Sequence, residues 1–395
     1  MTKNTEQPNY SAKDPYLWYR WIQKSSPVLK IKENLWLITR YEDITMLLND
    51  KRCTHWGMNN DIDLSNYPIE KSISQTLRAL SPGNSPNFRK QIMHQLALKT
   101  LRFDEKSMQK YADNILLNLY SSCSIEFMRD YAHPFTFGTF CQLMGVYEND
   151  VQELSTIVSN LNDGYLHFID ENMQNDSSNE QGKLFIDFIK RLIKQKQRQP
   201  GNDICSAILD ITIKDKHSES FIISLIILLF YAGHQNMMNF MGNSIIALYN
   251  KEQEQALLRN SLTFAIESVD ELIRYDSPLQ AILLITNEEI NLNGHLIPAK
   301  STLQLSVGAA NRDPLKFDNP DKLILERRPS HLGFGAGAFR CIGARLAQIQ
   351  GGVGLNRFFS HIKSFDTNVD NVNWKNYSVQ RGPSDILLDI NWNNE

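Results

Sequence analysis

HLGFGAGAFRCIGARLA, residues His331 to Ala347, is the stretch from which the rest of the chain is read. Three glycines (Gly333, Gly335, Gly337) precede one cysteine, Cys341, and Gly343 follows two positions later. A helical pattern opens directly after, from Ala344 to Phe359. Glycine lets a backbone turn tightly and approach a flat ligand closely. The start of a helix offers unpaired N–H groups and the positive end of a dipole, both of which favour a thiolate. Phe334 supplies an aromatic wall. A thiolate held this way is a soft ligand of the kind that binds heme iron. By themselves, the glycines and the cysteine fit equally well a loop that buries a structural cysteine.

Outward from this loop, the 395 residues suffice for one large domain or two ordinary ones. Hydrophobic residues make up 42% and charged residues 22%, an ordinary globular balance. The net charge of -3 leaves no basic excess to grip a phosphate backbone, so nucleic acid is not an expected partner. The five cysteines (Cys53, Cys123, Cys141, Cys205, Cys341) are odd in number and lie far apart. That spacing argues against a disulfide scaffold or structural zinc, and for a reducing compartment such as the cytoplasm. The N-terminal MTKNTEQPNYSAKDP is too polar for a signal peptide or membrane anchor. The most apolar run, Phe221 to Ala232, is too short to span a bilayer and reads as a buried core helix.

Apolar residues recur at three- and four-residue spacing over Asp43–Leu48, Phe88–Lys99, Ser107–Tyr120 and Lys183–Gln195, which predicts helices. Ser218 to Tyr249 is apolar on most sides, as in a helix crossing the middle of a domain. Leu262 to Tyr275 is a further helix, ended near Pro278. Strands are expected at Asn34–Arg40, Ala281–Thr286, Glu289–Leu292 and Thr302–Val307, with Asn293-Gly294 as a tight turn. Asn172 to Gly182 reads as a polar surface loop, and Gln199 to Asp203 as a turn into another helix. The fold class is mainly α with a minor β part.

The full spacing Phe-Gly-x-Gly-x-x-x-Cys-x-Gly resembles the heme-binding loop of the cytochrome P450 family. Four further segments agree in order. Glu271 and Arg274 share one helical face and look like the family's E-x-x-R structural pair, although such a pair is common on helix surfaces. Ala309 to Pro314 matches the segment before the meander. Ser121 to Gly145 resembles the helix that ends in a Leu-Met-Gly-Val turn. Ala232-Gly233-His234 matches the long central helix, where a small pair lies over the heme. The resemblance runs from about Tyr16 to the end. It implies a single domain over residues 1–395, an α-rich triangular prism with a small β-rich lobe. It further implies heme b (iron protoporphyrin IX) on Cys341, with Phe334 and Gly335 against it, and a monooxygenase that hydroxylates or epoxidises a small-molecule or carrier-bound substrate. With no flavin or iron–sulfur pattern in the chain, electrons are expected from a ferredoxin and ferredoxin reductase. These would dock near Arg340 and Arg345, with Lys90 and Lys99 better read as solvated charges.

Two departures from the family pattern stand out. The acid and alcohol that usually follow Ala-Gly-x and relay protons are here Gln235 and Asn236. Neither ionises, and general acid–base help is typically worth about 10²–10⁴-fold in rate. Three outcomes follow: substrate hydroxyls or water oriented by Asn236 replace the relay, the reaction avoids the usual O–O cleavage, or the protein binds heme and turns over poorly. The first is preferred. The second departure concerns the heme propionates. Their usual His and Arg positions hold Phe339, Phe88, Ile92 and Leu284. Unpaired buried carboxylates are costly, so Arg89, Lys90, Arg340 and His331 become the candidate cations. His234 reads as packing, not as a second ligand. Trp56, Met58, Tyr165, His167 and Phe168, in the usual lid regions, are candidates for an apolar substrate cavity and equally for ordinary packing. Natural-product biosynthesis is the preferred setting. The alternatives are an oxidative coupling, desaturation or peroxide-driven enzyme and, in another class, a heme-binding recruitment or sensing protein with little turnover.

Overall fold

The structure, a computed structural model, describes residues 8–55, 76, 86–102, 105–160, 177–375 and 379–393. The chain opens with α1 (Tyr16–Ser25), the hairpin β1 (Val28–Lys32) and β2 (Leu35–Ile38), α2 (Tyr41–Asn49) and β3 (Cys53–His55). Next come α3 (Pro86–Arg102), α4 (Glu105–Leu119), β4 (Ser124–Glu126), α5 (His133–Met144), α6 (Glu148–Asn160), α7 (Ser177–Arg198) and α8 (Ile204–Lys214). The central helix α9 (Glu219–Leu248) is followed by α10 (Glu252–Asn260) and α11 (Leu262–Tyr275). Then come β5 (Ala281–Thr286), β6 (Ile290–Leu292), β7 (His295–Ile297), β8 (Thr302–Ser306) and the single turn α12 (Val307–Ala310). The cysteine loop leads into α13 (Ala344–His361), β9 (Ile362–Asp366), β10 (Asn373–Trp374), β11 (Pro383–Asp385) and β12 (Leu387–Trp392).

Helix α9 is the axis of the molecule. Ser218 caps its start, its hydroxyl accepting from the Phe221 N–H at 3.3 Å. By length and apolarity this 30-residue helix would cross a membrane, longer than the apolar run alone suggests. It is instead the core of the fold, because apolar side chains on most of its sides find protein partners. Leu225, Ile226 and Phe230 pack with Ile189 and Leu192 of α7 and Ile208 of α8. Met237, Phe240 and Met241 pack with Phe135 and with Phe358 of α13. Helix α13 comes close enough that a Cβ on Gly351 would lie 2.6 Å from the Phe240 ring.

The main sheet has the order β1-β2-β8-β5-β3, with β2 and β8 parallel and the other pairs antiparallel. Its apolar face, including Leu284, Leu303 and Leu305, packs on Ile44, Leu47 and Leu48 of α2. A second sheet, β4-β12-β9, joins the C-terminal strands to the segment before α5. The expected loop at Asn172–Gly182 is corrected in part. Ser177 already opens α7, whose apolar face docks on α9, and the residues before it lie outside those described.

Candidate functional site

The cysteine loop is closed by its own backbone. The Gly335 N–H donates to Leu332 O at 2.8 Å, and the Cys341 N–H donates to Phe334 O at 2.7 Å. The Leu332 N–H donates to Asn311 Oδ1 at 2.7 Å, which ties the loop to the turn after α12. Gly335 adopts φ +64°, and a Cβ there would lie 2.5 Å from the Phe339 carbonyl oxygen. Left-handed backbone at a non-glycine residue costs on the order of 1–3 kcal/mol, before any clash. Gly335→Ala is therefore expected to lower both the melting temperature and the heme content of purified protein. An unchanged content would show that the loop absorbs the methyl group elsewhere.

Cys341 is accessible to solvent, yet burial among protein atoms raises its thiol pKa. Both hold together for a sulfur that borders an internal space. Working against burial are a hydrogen bond from the Gly343 N–H and the charges of Arg89 and Arg340. The helix start thus favours the thiolate, as the sequence implies, but burial outweighs it in the metal-free thiol. Ala232 is the one exposed residue of α9 beyond its first two positions, and Tyr231, Gln235 and Asn236 around it are half-buried, so this stretch of the helix borders open space. A soft sulfur donor, accessible to solvent on a tight glycine-rich loop at the start of a helix, has the chemistry that fits heme iron. Cys341 would hold the iron there.

Of the expected cations, the structure brings Arg89 to the loop: its Nη2 donates to Arg340 O at 2.5 Å. Arg89 is partly desolvated, and the charges of Arg89 and Cys341 act on each other. Phe88 and Ile92 sit in the core cluster beside α8 and α9, and Phe88 packs on the Phe221 ring at 5.5 Å. Helix α3 thus buries one face and turns the neighbouring Arg89 to the loop. Arg340 is exposed beside the cysteine, and Lys90 is exposed on α3. The Lys99 side chain lies outside those described.

His331 is placed differently from the expectation that it serves as a cation. Its Nδ1 accepts from the Gly333 N–H at 3.0 Å, and its Nε2 faces Asp270 at 3.2 Å. Both ring nitrogens are thus engaged, one by the loop itself and one by α11, which leaves neither free for a propionate. Sequence reasoning missed His55. It packs edge-on against Phe339 at 4.7 Å, and it stands opposite Leu284 in the β3–β5 ladder. Burial and the Arg89 charge push its pKa down to about 4, so it is neutral at pH 7. A lone histidine in a three-residue strand carries no sequence signal of this role. Arg89→Ala is expected to weaken heme retention by at least about tenfold, the low end for hydrogen bonds from a charged group. Heme transfer to apomyoglobin measures it.

On α9, Ala232 rather than Gly233 borders the open space. Gly233 abuts α5, where a Cβ would meet the Phe140 ring at 2.3 Å. Gln235 and Asn236 are half-buried, and Asn236 Oδ1 accepts from Gln380 Nε2 at 3.2 Å. His234 is buried between the rings of His133 and Phe137, each centred 4.9 Å away, and burial holds it neutral. Glu271 and Arg274 form a fully buried ion pair, bidentate at 2.7 and 2.9 Å. Trp56, Met58, Tyr165, His167 and Phe168 lie outside the described residues.

Residues 87–373 match the cytochrome P450 family. The chain is 26% identical over 370 residues to the vitamin D(3) 25-hydroxylase of Pseudonocardia autotrophica, covering 91% of this chain and 90% of that one. It is 26% identical over 369 residues to the polyketide biosynthesis cytochrome P450 PksS of Bacillus subtilis, covering 90% and 89%. The fold superposes with TM-score 0.86 on P450BioI in complex with an acyl carrier protein ligated to hexadec-9Z-enoic acid, at 24% identity and covering 96% and 99%. The chain thus belongs to the cytochrome P450 family, as a bacterial-type monooxygenase whose cofactor is heme b.

Proposed function

We propose that this enzyme inserts one oxygen atom into a small-molecule or carrier-bound substrate of natural-product biosynthesis, and that substrate hydroxyls or ordered water oriented by Asn236 replace the usual acid–alcohol relay. The observation that carries this reading is on α9. After Glu219 the helix has no carboxylate, while Gln235 and Asn236 stand half-buried on the side of Ala232. An amide can hold a water or a hydroxyl by donating and accepting hydrogen bonds, but it cannot release a proton as a carboxylic acid does. When bound, heme supplies the oxygen activation, with thiolate donation favouring O–O cleavage. The protein then orients the substrate, excludes bulk water and fixes the donors around the reacting atom.

The carrier-bound form is supported by the likeness to P450BioI, which was crystallised with a loaded acyl carrier protein. The biosynthetic setting is supported by PksS, named for polyketide biosynthesis. Exposed Arg340 and Arg345 beside the cysteine suit an acidic electron donor, a ferredoxin served by its reductase. Cytoplasmic location rests on cysteine usage, and one domain over the whole chain on the length of the resemblance.

Spectral titration with fatty acyl chains, free and on acyl carrier protein, tests the substrate class. A shift to high spin with carrier-bound chains alone supports a tethered substrate, and no shift with either refutes the acyl form. Products formed under labelled dioxygen must carry the label, whereas an unlabelled coupled product would move the enzyme to oxidative coupling. Gln235→Glu combined with Asn236→Thr is expected not to improve the yield of product per electron. Clear improvement would mean that the natural pair is only a weakened relay.

A further inference from the structure

Asn236 has a second feature that its position alone does not explain: its amide is held by a residue 144 positions away. Gln380 Nε2 donates to Asn236 Oδ1 at 3.2 Å, and Gln380 itself is buried, 5% exposed. Its backbone is clamped on both sides. Gln380 bridges to Leu279, the Gln280 N–H donates to Val379 O at 2.7 Å, and the Arg381 N–H donates to Pro278 O at 2.9 Å. The Arg381 side chain anchors the same segment, Nε donating to Asp276 Oδ1 at 2.8 Å. Gln380 therefore approaches α9 from a fixed base.

Ala232, Asn236, Asn239 and Asn243 share one face of α9. At one end Ala232 is exposed to the internal space. At the other, Asn239 is fully buried against Gly382, and Asn243 Nδ2 donates to Asp276 O and Arg381 O. Asn236 is half-buried, at the border between the two. With its oxygen taken by Gln380, the group left to face the open space is the NH₂.

We propose that Gln380 is a positioning residue that locks the Asn236 amide with its NH₂ toward the heme pocket, so that the pocket presents a fixed hydrogen-bond donor at the place of the acid–alcohol pair of the family pattern. The proposal rests on the reading of Asn236 given above. It also defines the ligand atom the donor fits: an acceptor oxygen, from water or from a substrate hydroxyl or carbonyl.

The test turns on the chemistry of position 380. Glutamine donates, whereas an ionised glutamate only accepts. In Gln380→Glu the Asn236 amide must turn its NH₂ to the carboxylate and present Oδ1 to the pocket. The probe is carbon monoxide on the reduced holoenzyme, read by infrared spectroscopy, because a donor beside the bound molecule lowers its C–O stretch and an acceptor raises it. Relative to wild type, the stretch is expected to rise in Asn236→Ala and to rise further in Gln380→Glu. In the latter it should fall back as pH drops and the glutamate gains a proton to donate, a response that a merely structural role would not produce. Where Gln380→Glu fails to bind heme, Gln380→Leu carries the test: its shift must vanish in an Asn236→Ala background. If Asn236→Ala moves the band and the position-380 variants do not, Gln380 has no such role and the reading of Asn236 survives. If Asn236→Ala leaves the band in place, both fall.

Discussion

Cys341→Ser will abolish the red-shifted absorption of the reduced, carbon-monoxide-treated protein while leaving the apoprotein fold intact. The cysteine's structural contributions are its N–H donated to Phe334 O, which serine keeps, and a sulfur that accepts from the Gly343 N–H, as a serine oxygen also can. Its sulfur borders open space instead of filling the core. Apoprotein stability should therefore change by no more than about 0.5 kcal/mol, the usual range for sites away from packing. The hydroxyl oxygen is a hard, weak donor where a thiolate donates electron density, so the chemistry that needs the thiolate fails. Turnover should fall by more than about 100-fold, the top of the range for residues that merely support a metal ligand. Thermal unfolding by circular dichroism and the absorption spectrum separate the two effects. A preserved red-shifted band would place the iron ligand elsewhere.

The second large effect is at the buried pair Glu271–Arg274. Arg274 donates to both Glu271 oxygens and to the carbonyls of Asn311, Pro320 and Lys322 at 2.7–3.0 Å. Glu271 Oε1 also accepts from the Ile324 N–H at 3.0 Å and from Arg327 Nε at 3.2 Å. One helix turn thus pins the long irregular segment that leads to the cysteine loop. Removing Arg274 leaves the buried Glu271 charge with only the longer Arg327 contact and strips three carbonyls of their donor, at a cost of about 3–5 kcal/mol. That is a large share of a typical total stability of about 5–15 kcal/mol. Arg274→Ala should shift the urea midpoint strongly or prevent accumulation of folded protein. Replacing both residues with apolar ones often rescues a buried pair, but here it should not, since the three carbonyls and the Ile324 N–H would lose their partners. Full rescue in Glu271→Leu with Arg274→Met would show that the pair satisfies only itself.

Local signals made part of this legible in advance. The glycine spacing around Cys341 is read within seventeen residues, and the helix expected over Leu262–Tyr275 has those bounds in the structure. Strand Ala281–Thr286 has the bounds that its short apolar run implies. The C-terminal strands did not stand out, because they are short and β12 pairs with β4, more than 250 residues earlier. Reading Arg89 among several candidate cations was as far as sequence went. Only packing of Phe88 and Ile92 into the core shows that Arg89 turns to the loop.

The sequence by itself determined the family, the candidate iron ligand, the Glu271–Arg274 spacing and the absence of an acid after Glu219 in the central helix, because each depends on residue identity at short, regular spacing. Tertiary structure decided which side chains meet: His55 against Phe339, His331 on Asp270, Gln380 on Asn236. Those contacts join segments far apart in the chain. Their geometry is set by how helices and strands pack, which no local pattern encodes.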